Sequence, residues 1–244
     1  PLRRGAHTVN TLTGDQVLVK VAGCGVCHTD LGFVYDGVRT RHPLPLTLGH
    51  EIAGYVVETG PESAFRAGDP VVVPAVIPCG ECPACQAGRG AICPNQFFPG
   101  NDDHGGFASH VVVPGRGLCA INPMALKASG IELAAISVVA DAVTTPYQAI
   151  LNANLKAGDL AIFVGVGGVG GFGVQIAAAM GATVVAIDVD PTKLASASAA
   201  SLHLQSTPDL HGIKKTIRSF ASEHGCPSTG WKIFETSGHP AGQE

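Results

Sequence analysis

Charged and aromatic side chains are scarce in this 244-residue sequence, at 14% and 5% of its residues. The net charge of −4 provides no basic excess that would attract nucleic acid or an anionic membrane, so we expect neither partner. No apolar run reaches the length of a membrane span, and no signal-peptide core follows the N-terminal residues. Internal repeats and low-complexity linkers are absent as well. These absences, together with 32 glycines, predict a soluble cytoplasmic enzyme with many tight turns.

The sequence also lacks an initiating methionine, and it stops at Gln243-Glu244, soon after a predicted strand at 231–234. We therefore expect a fragment that lacks the C-terminal part of its protein. The length is still sufficient for two domains. We place them at 1–145 and 146–244, because the hydrophobic pattern changes along the chain.

The first domain is predicted to be an antiparallel β domain that forms a distorted barrel. Short runs with alternating β-branched residues are separated by Gly, Pro and Asp turns, as in 67–70. These runs lie at 16–22, 54–59, 70–73 and 109–114. The Ala-rich apolar segment 131–151 has helical spacing and predicts helices that connect the two domains.

The second domain opens with a strand, a glycine-rich turn and a helix. A short apolar run at 160–164 precedes the turn, and a second strand at 183–187 ends at Asp188, 23 residues after Gly165. This βαβ order with a trailing acid is typical of dinucleotide binding, whereas a Gly-rich turn alone would indicate no ligand. Asp188 is expected to bind the adenosine ribose and to favour NAD over NADP by repelling a 2′-phosphate. The pyrophosphate is expected at the turn, whose key residues are Gly165, Gly167, Gly168, Val169 and Gly170.

Four of the eight cysteines crowd into a short Gly- and Pro-rich segment. Their spacing, with two residues between each of the first three and seven before the fourth, is typical of a closed tetrahedral zinc site. Disulfides and an iron–sulfur cluster are the alternatives, but clustering without a secretory signal favours a metal. We predict a structural zinc lobe at 79–93 whose ligands are Cys79, Cys82, Cys85 and Cys93.

A second metal site is indicated by Cys27 and His50, each followed closely by a carboxylate, Asp30 and Glu51. Thiolate and imidazole are ligands that zinc prefers, and a catalytic site needs a third ligand and an open fourth position. Asp141 is a candidate because it is an ionisable residue within an otherwise apolar stretch, although a helix cap would also explain it. The other candidates are Glu51, Cys24 and Cys119, of which the two thiols are more typical of core cysteines.

These motifs, in this order, resemble the zinc-dependent medium-chain alcohol dehydrogenases over the whole sequence. The resemblance implies an α/β protein with a GroES-like distorted β-barrel catalytic domain, a zinc lobe and an incomplete Rossmann domain, whose parallel sheet is doubly wound. It makes Cys27 and His50 the first two catalytic zinc ligands and the four clustered cysteines the structural ligands. Further roles follow for four residues, namely Thr29 on the reacting alcohol, Glu51 behind the metal, His28 on the pyrophosphate and Lys193 near the adenosine ribose.

Two positions depart from the family pattern. Asp141 stands where the third ligand is usually a second cysteine, and we expect its carboxylate to replace the thiolate with the same formal charge. Gly32 stands where a histidine often relays the alcohol proton, so the proton must leave by another route.

The resemblance implies zinc- and NAD-dependent oxidation of a secondary alcohol to a ketone, with a small-molecule substrate, two zinc ions per chain and a homo-oligomer. Within the family, the segments 22–30, 99–114, 138–148 and 231–238 resemble members that oxidise a ring hydroxyl of a CoA thioester. The alternatives are a general alcohol or polyol dehydrogenase, a zinc-free reductase of activated double bonds, and a non-catalytic NAD-binding protein.

Overall fold

The computed structural model describes residues 2–242 and divides into two compact units, Pro1–Asp141 and Ala142–Glu244. Gln243 and Glu244, the chain end on which we based the expectation of a fragment, lie outside the described residues. The division falls just before the sequence-based boundary at 145. A 3₁₀ helix that ends at Ala140 packs in a core of the first unit, whereas Ile150 belongs to the core of the second.

The first unit is built on a five-stranded antiparallel sheet with the order β4-β1-β2-β3-β5. Two irregularities in the register of β1 against β2 distort it, at Leu18/Val19 and at Val21/Gly23. The strands are β1 Gln16–Gly25, β2 Glu51–Thr59, β3 Pro70–Val73, β4 His110–Pro114 and β5 Cys119–Ala120. All four predicted runs are strands.

The sheet is covered on both faces. Val17 and Val19 alternate with more exposed residues along β1 and join a valine- and isoleucine-rich core on one face. On the other face, Ala53 and Val72 pack against Leu133 of the 3₁₀ helix. The sequence suggested that Cys119 lies in a core, and this prediction is wrong. Cys119 is exposed because the two-residue strand β5 is at the edge of the sheet.

The first unit also contains short helices. They are α1 His28–Tyr35, α2 Pro83–Gln86 and α3 Pro123–Ser129, with 3₁₀ turns at Gly90–Ile92, Gly115–Gly117 and Leu133–Ala140. The segment Leu133–Asn152 is long and apolar enough to cross a membrane by length and composition, contrary to the sequence-based expectation. This is weak evidence for a span, because a core helix passes the same test and the backbone leaves helical geometry at Asp141, where φ is −142°.

The second unit is built on a four-stranded parallel sheet with the order β8-β7-β6-β9. Its elements are α4 Thr144–Asn152, β6 Leu160–Val164, α5 Gly168–Ala179, β7 Thr183–Asp188, α6 Pro191–Ser196, β8 Leu202–Gln205, α7 Leu210–Glu223 and β9 Lys232–Glu235, followed by a 3₁₀ turn at Pro240–Gly242. Strand β8 and helix α7 are the elements of this unit that the sequence pattern did not predict.

Helices cover both faces of the parallel sheet, which confirms the predicted doubly wound α/β class. Ala161 and Phe163 of β6 face a core that includes Val174 of α5. Leu160 and Ile162 face the opposite core, which includes Phe220 of α7. Because successive side chains of a strand point to opposite faces, burial on both faces explains why β6 is apolar throughout.

Candidate active site and metal centres

The four clustered cysteines converge in the lobe formed by residues 79–93. The sulfur–sulfur distances are 3.5 Å for Cys82–Cys85 and Cys93–Cys79, 3.8 Å for Cys82–Cys93 and 4.0 Å for Cys79–Cys85. Sulfurs on a tetrahedral zinc, with Zn–S bonds near 2.3 Å, stand about 3.8 Å apart. All four cysteines are free, so the disulfide alternative is wrong. The sulfur arrangement fits a zinc ion with no open coordination position.

The lobe depends on these cysteines for its interior. Within residues 79–93, the only buried side chains are Cys82 and Cys93, and the helical pieces contribute none. The backbone N–H groups of Glu81 and Cys82 lower the pKa of Cys79 to about 7, which favours the thiolate form that binds a metal. A bound metal would therefore supply the cohesion that an apolar core supplies elsewhere.

A second cluster consists of Cys27, His50 and Asp141, whose ligand atoms all lie within 4.8 Å of one another. Asp141 Oδ2 is 3.5 Å from Cys27 Sγ and 3.4 Å from His50 Nε2. Ligands of a tetrahedral zinc with ordinary bond lengths are about 3.6 Å apart for sulfur and oxygen and about 3.3 Å for nitrogen and oxygen. The three side chains thus fit one zinc ion and leave its fourth position open.

Each of the three residues lies at the end of an element. Cys27 is the N-cap of α1, two residues after the end of β1, and His50 immediately precedes β2. Asp141 caps the 3₁₀ helix Leu133–Ala140, so the helix-cap reading of the sequence is correct for its backbone and compatible with a ligand role for its side chain. Antiparallel pairing of Gly25 with Glu51 brings Cys27 and His50 close to each other.

Asp30 holds the backbone at Cys27 and directly before His50. Its Oδ2 accepts a hydrogen bond from the Cys27 N–H at 3.0 Å, and its Oδ1 accepts one from the Gly49 N–H at 3.1 Å. The same Oδ1 lies 3.5 Å from His50 Nδ1, which is long for a hydrogen bond, and His50 Nδ1 has no closer partner among the described residues. Phe98, which sequence reasoning did not single out, packs edge-on against the His50 ring at 5.1 Å.

The electrostatics of this cluster favour a cation. Burial alone lowers the pKa of His50, but its contacts with Asp141, Asp30 and Cys27 outweigh burial and raise this pKa to about 11. The imidazole is thus surrounded by groups that stabilise positive charge. A divalent cation bound to neutral His50, with a thiolate and a carboxylate, would satisfy the same groups with no net charge.

The other candidate ligands lie outside this cluster. Glu51 is buried at the start of β2, where a Cβ on Gly25 would overlap its carboxylate, so Gly25 leaves the space that Glu51 occupies. Burial raises the pKa of Cys24 to about 12, as expected for an inert thiol near a strand end. The structure therefore groups Asp141, and neither Glu51 nor Cys24, with Cys27 and His50.

The residues predicted to handle the alcohol proton and the pyrophosphate are exposed on α1. Thr29 Oγ1 lies 3.6 Å from Cys27 Sγ, beside the candidate zinc site. His28 is the first residue of the helix. Gly32 is buried, and its carbonyl accepts hydrogen bonds from the N–H groups of Asp36 and Val38. Gly32 has no side chain that could take over the role of the missing histidine relay.

The glycine-rich turn connects β6 to α5 in the second unit. Gly165 has a φ of +88°, which favours glycine, while a Cβ on Gly167 or Gly168 would meet nothing within 4 Å. The open backbone at these positions leaves room for a phosphate at the start of α5, where Val169 and Gly170 also lie. A cavity of about 380 Å³ adjoins the turn, lined among others by Gly167, Gly168, Asp190, Thr192 and Lys193.

Asp188 lies at the carboxyl end of β7 and is almost fully buried. Its Oδ2 accepts a hydrogen bond from the Val166 N–H at 2.8 Å, and its Oδ1 accepts one from the Asp190 N–H at 2.9 Å. Each carboxylate oxygen can accept a second bond, so binding to a ribose hydroxyl is still possible. Lys193, by contrast, lines the cavity directly. Asp190, also on the cavity wall, is a site residue that the sequence reasoning missed.

A third group of potential ligands comprises His42, Asp103 and His104. The Nδ1 of His104 accepts a hydrogen bond from the Thr47 N–H at 3.1 Å, which places the ring proton on Nε2 and leaves no lone pair there for a metal. The ring of His7 stacks on His104 at 4.2 Å. This arrangement favours a neutral, packed histidine pair over a third metal centre.

Comparison with known proteins agrees with this description. Residues 13–123 match the family model described as alcohol dehydrogenase GroES-like domain. An NAD-dependent alcohol dehydrogenase of Sulfolobus acidocaldarius is 35% identical over 197 residues, covering 78% of this chain and 56% of that protein. A D-arabinose 1-dehydrogenase (NADP(+)) of Saccharolobus solfataricus is 35% identical over 187 residues, covering 74% and 51%.

Among solved structures, galactitol-1-phosphate dehydrogenase from Escherichia coli superposes with a TM-score of 0.84 at 27% identity, covering 98% of this chain and 66% of that chain. The chain spans about half the length of the curated relatives that it matches. The GroES-like match, the two-unit fold and the zinc-site geometry lead to one conclusion. The chain belongs to the zinc-type medium-chain alcohol dehydrogenase family.

Proposed function

We propose that this protein oxidises a secondary alcohol to a ketone, with NAD as the hydride acceptor and with two zinc ions per chain. The observation that carries the proposal is the convergence of Cys27, His50 and Asp141 as three ligands with an open fourth position. A zinc ion held there would act as a Lewis acid that lowers the pKa of the substrate alcohol. The open Cys27–His50–Asp141 arrangement also supports this reaction over a zinc-free double-bond reductase.

The residues around the site have distinct tasks in this reaction. Asp30 holds the backbone of Cys27 and of Gly49 and so keeps the first two ligands in register. The hydroxyl of Thr29, exposed and beside the Cys27 sulfur, would accept the alcohol proton and pass it towards solvent. Glu51 supplies a buried carboxylate at the start of β2. The Cys27 thiolate and the Asp141 carboxylate balance the charge of a divalent ion.

The second unit would hold the cofactor, whose nicotinamide accepts the hydride. The N–H groups at the start of α5, next to Gly167 and Gly168, would bind the pyrophosphate. Asp188 and Asp190 place two carboxylates near the predicted ribose, where a 2′-phosphate would be repelled. The thermodynamic preference for NAD over NADP follows from this negative charge.

For the substrate, we propose 6-hydroxycyclohex-1-ene-1-carbonyl-CoA, oxidised to its 6-oxo product in anaerobic benzoyl-CoA degradation. The support is the resemblance of the segments 22–30, 99–114, 138–148 and 231–238 to the dehydrogenase of that name. A general alcohol or polyol dehydrogenase is the second candidate. It is favoured by the similarity to dehydrogenases of D-arabinose and galactitol 1-phosphate.

NADH formation by the purified protein separates these candidates. The substrates would be the cyclic hydroxyacyl-CoA thioester, its free acid, cyclic and linear secondary alcohols, and polyols, each with NAD and with NADP. We expect kcat/KM for the thioester to exceed that for the free acid by at least about 100-fold, because the CoA group provides binding energy. Protein treated with a zinc chelator is the control and should lose turnover. Turnover of simple alcohols or polyols without the thioester would contradict the substrate and leave zinc-dependent alcohol oxidation in place.

A further inference from the structure

The first peptide group of the glycine-rich turn, between Gly165 and Val166, is held from both sides by side chains. Its carbonyl oxygen, on Gly165, accepts a hydrogen bond from Thr236 Oγ1 at 2.6 Å. Its N–H, on Val166, donates to Asp188 Oδ2 at 2.8 Å. Thr236 directly follows β9, and Asp188 is the last residue of β7. These two strands flank β6 in the sheet.

Thr236 is held in place independently of the turn. Its N–H donates to the Val164 carbonyl at 2.8 Å, which extends the pairing of β6 with β9, and its hydroxyl also lies 3.2 Å from that carbonyl. The next residue packs closely, since a Cβ on Gly165 would lie 2.5 Å from the Ser237 Cα. The Thr236 hydroxyl is therefore fixed by the sheet rather than by a flexible loop.

The first turn of helix α5 packs against the same peptide group. A Cβ on Gly170 would overlap the Gly165 carbonyl oxygen and would lie 2.7 Å from Thr236 Oγ1. The first turn of α5, the Gly165 carbonyl and the Thr236 hydroxyl thus form one close-packed contact. A change in the direction of the Gly165 carbonyl would disturb the start of α5.

This arrangement selects the backbone groups that can face a phosphate. The Val166 N–H donates to Asp188 and is therefore not available to a phosphate. The remaining donors are the N–H groups at the N-terminus of α5, which have no partner within the helix. Their direction depends on the peptide that precedes them.

We propose that Thr236 is a positioning residue for the dinucleotide. Its hydroxyl, together with the Asp188 carboxylate, fixes the Gly165–Val166 peptide, so that the N–H groups of α5 are oriented to bind the pyrophosphate. This inference rests on the proposed NAD-dependent function and extends it to a residue 71 positions beyond the turn. Asp188 then has two tasks, bracing the turn and binding the ribose.

The test compares NADH binding, measured by fluorescence titration, in Thr236→Val, Thr236→Ser and the wild type. Valine keeps the shape of threonine and removes the hydroxyl, so we expect the Kd for NADH to rise about five- to tenfold. Serine keeps the hydroxyl and should restore the Kd to within about twofold of the wild type. Thr216→Val is the matched control, because the Thr216 hydroxyl donates to the Gly212 carbonyl at 3.0 Å on the exposed face of helix α7. It should leave the Kd unchanged.

Kinetics and hydrogen exchange separate positioning from a general loss of structure. In Thr236→Val, KM for NAD should rise while kcat and KM for the alcohol stay near the wild-type values. Exchange of the Val166 amide, measured without cofactor, should become faster in Thr236→Val and not in Thr216→Val.

Failure of the inference and failure of the proposed function give different results. If the wild type binds NADH and Thr236→Val binds it equally well, with unchanged exchange at Val166, the inference is wrong and the proposed function stands. If the wild type binds no NADH, the proposed function fails and takes the role of Thr236 in cofactor binding with it. Weaker binding by both Thr236→Val and Thr236→Ser would also overturn the inference, since the hydroxyl would then not be the cause.

Discussion

Replacing Asp141 by alanine is expected to remove the catalytic zinc and leave one zinc per chain, the ion of the cysteine lobe. The Asp141 carboxylate lies 3.5 Å from the Cys27 sulfur and 3.4 Å from the His50 nitrogen, so its loss reduces a three-ligand set to two. Without a Lewis acid on the alcohol, we expect kcat/KM for NADH formation to fall at least about 1,000-fold. Zinc content by atomic emission and initial rates of NADH formation measure the two effects.

Two further variants at this position make the test specific. Asp141→Cys introduces the thiolate that the family pattern has here and should retain two zinc ions and substantial activity. Asp141→Asn keeps the shape but has a neutral oxygen, and it should bind the catalytic zinc weakly. Two zinc ions at full occupancy in Asp141→Ala would show that Asp141 is not an essential ligand.

Replacing Cys93 by serine is expected to unfold the zinc lobe. Cys93 is 4% exposed, and it is one of only two buried side chains between residues 79 and 93. Since the lobe has no apolar core of its own, a bound metal would supply most of its stability. We expect the free energy of unfolding to decrease by at least about 4 kcal/mol, a large part of the stability of a typical domain.

Thermal unfolding, zinc content and limited proteolysis of the lobe measure this loss. Cys119→Ser is the matched control, because Cys119 is an exposed cysteine outside the cluster. It should retain both zinc ions and the wild-type midpoint. A Cys93→Ser protein with two zinc ions and an unchanged midpoint would argue against a structural metal in the lobe.

The second unit shows where local sequence patterns suffice. The predicted bounds of β6 are those of the structure, because a strand buried on both faces is apolar throughout and a glycine turn ends it.

Helix α7 was not predicted, although the sequence contains signals for it. Asp209 caps it by accepting a hydrogen bond from the Gly212 N–H, and Ile213, Ile217 and Phe220 recur at helical spacing. The turn residues just before it obscured this pattern.

The candidate sites show where local patterns end. The four cysteines of the lobe are close in sequence, so their spacing was sufficient to predict a shared metal. The sequence did not decide which residue joins Cys27 and His50 in one cluster, because Asp141 is 114 positions from Cys27 and its direction depends on how a 3₁₀ helix ends. The brace formed by Thr236 was equally hidden, since it requires the pairing of β6 with β9.

Anomalous diffraction at the zinc absorption edge, from crystals grown with zinc, tests the central claim most directly. The claim is that Cys27, His50 and Asp141 form a three-ligand zinc site distinct from the cysteine lobe. The account predicts two peaks per chain, one among the four lobe cysteines and one within about 2.0–2.4 Å of Cys27 Sγ, His50 Nε2 and an Asp141 oxygen. A single peak in the lobe, or a second peak whose ligands do not include Asp141, would contradict it.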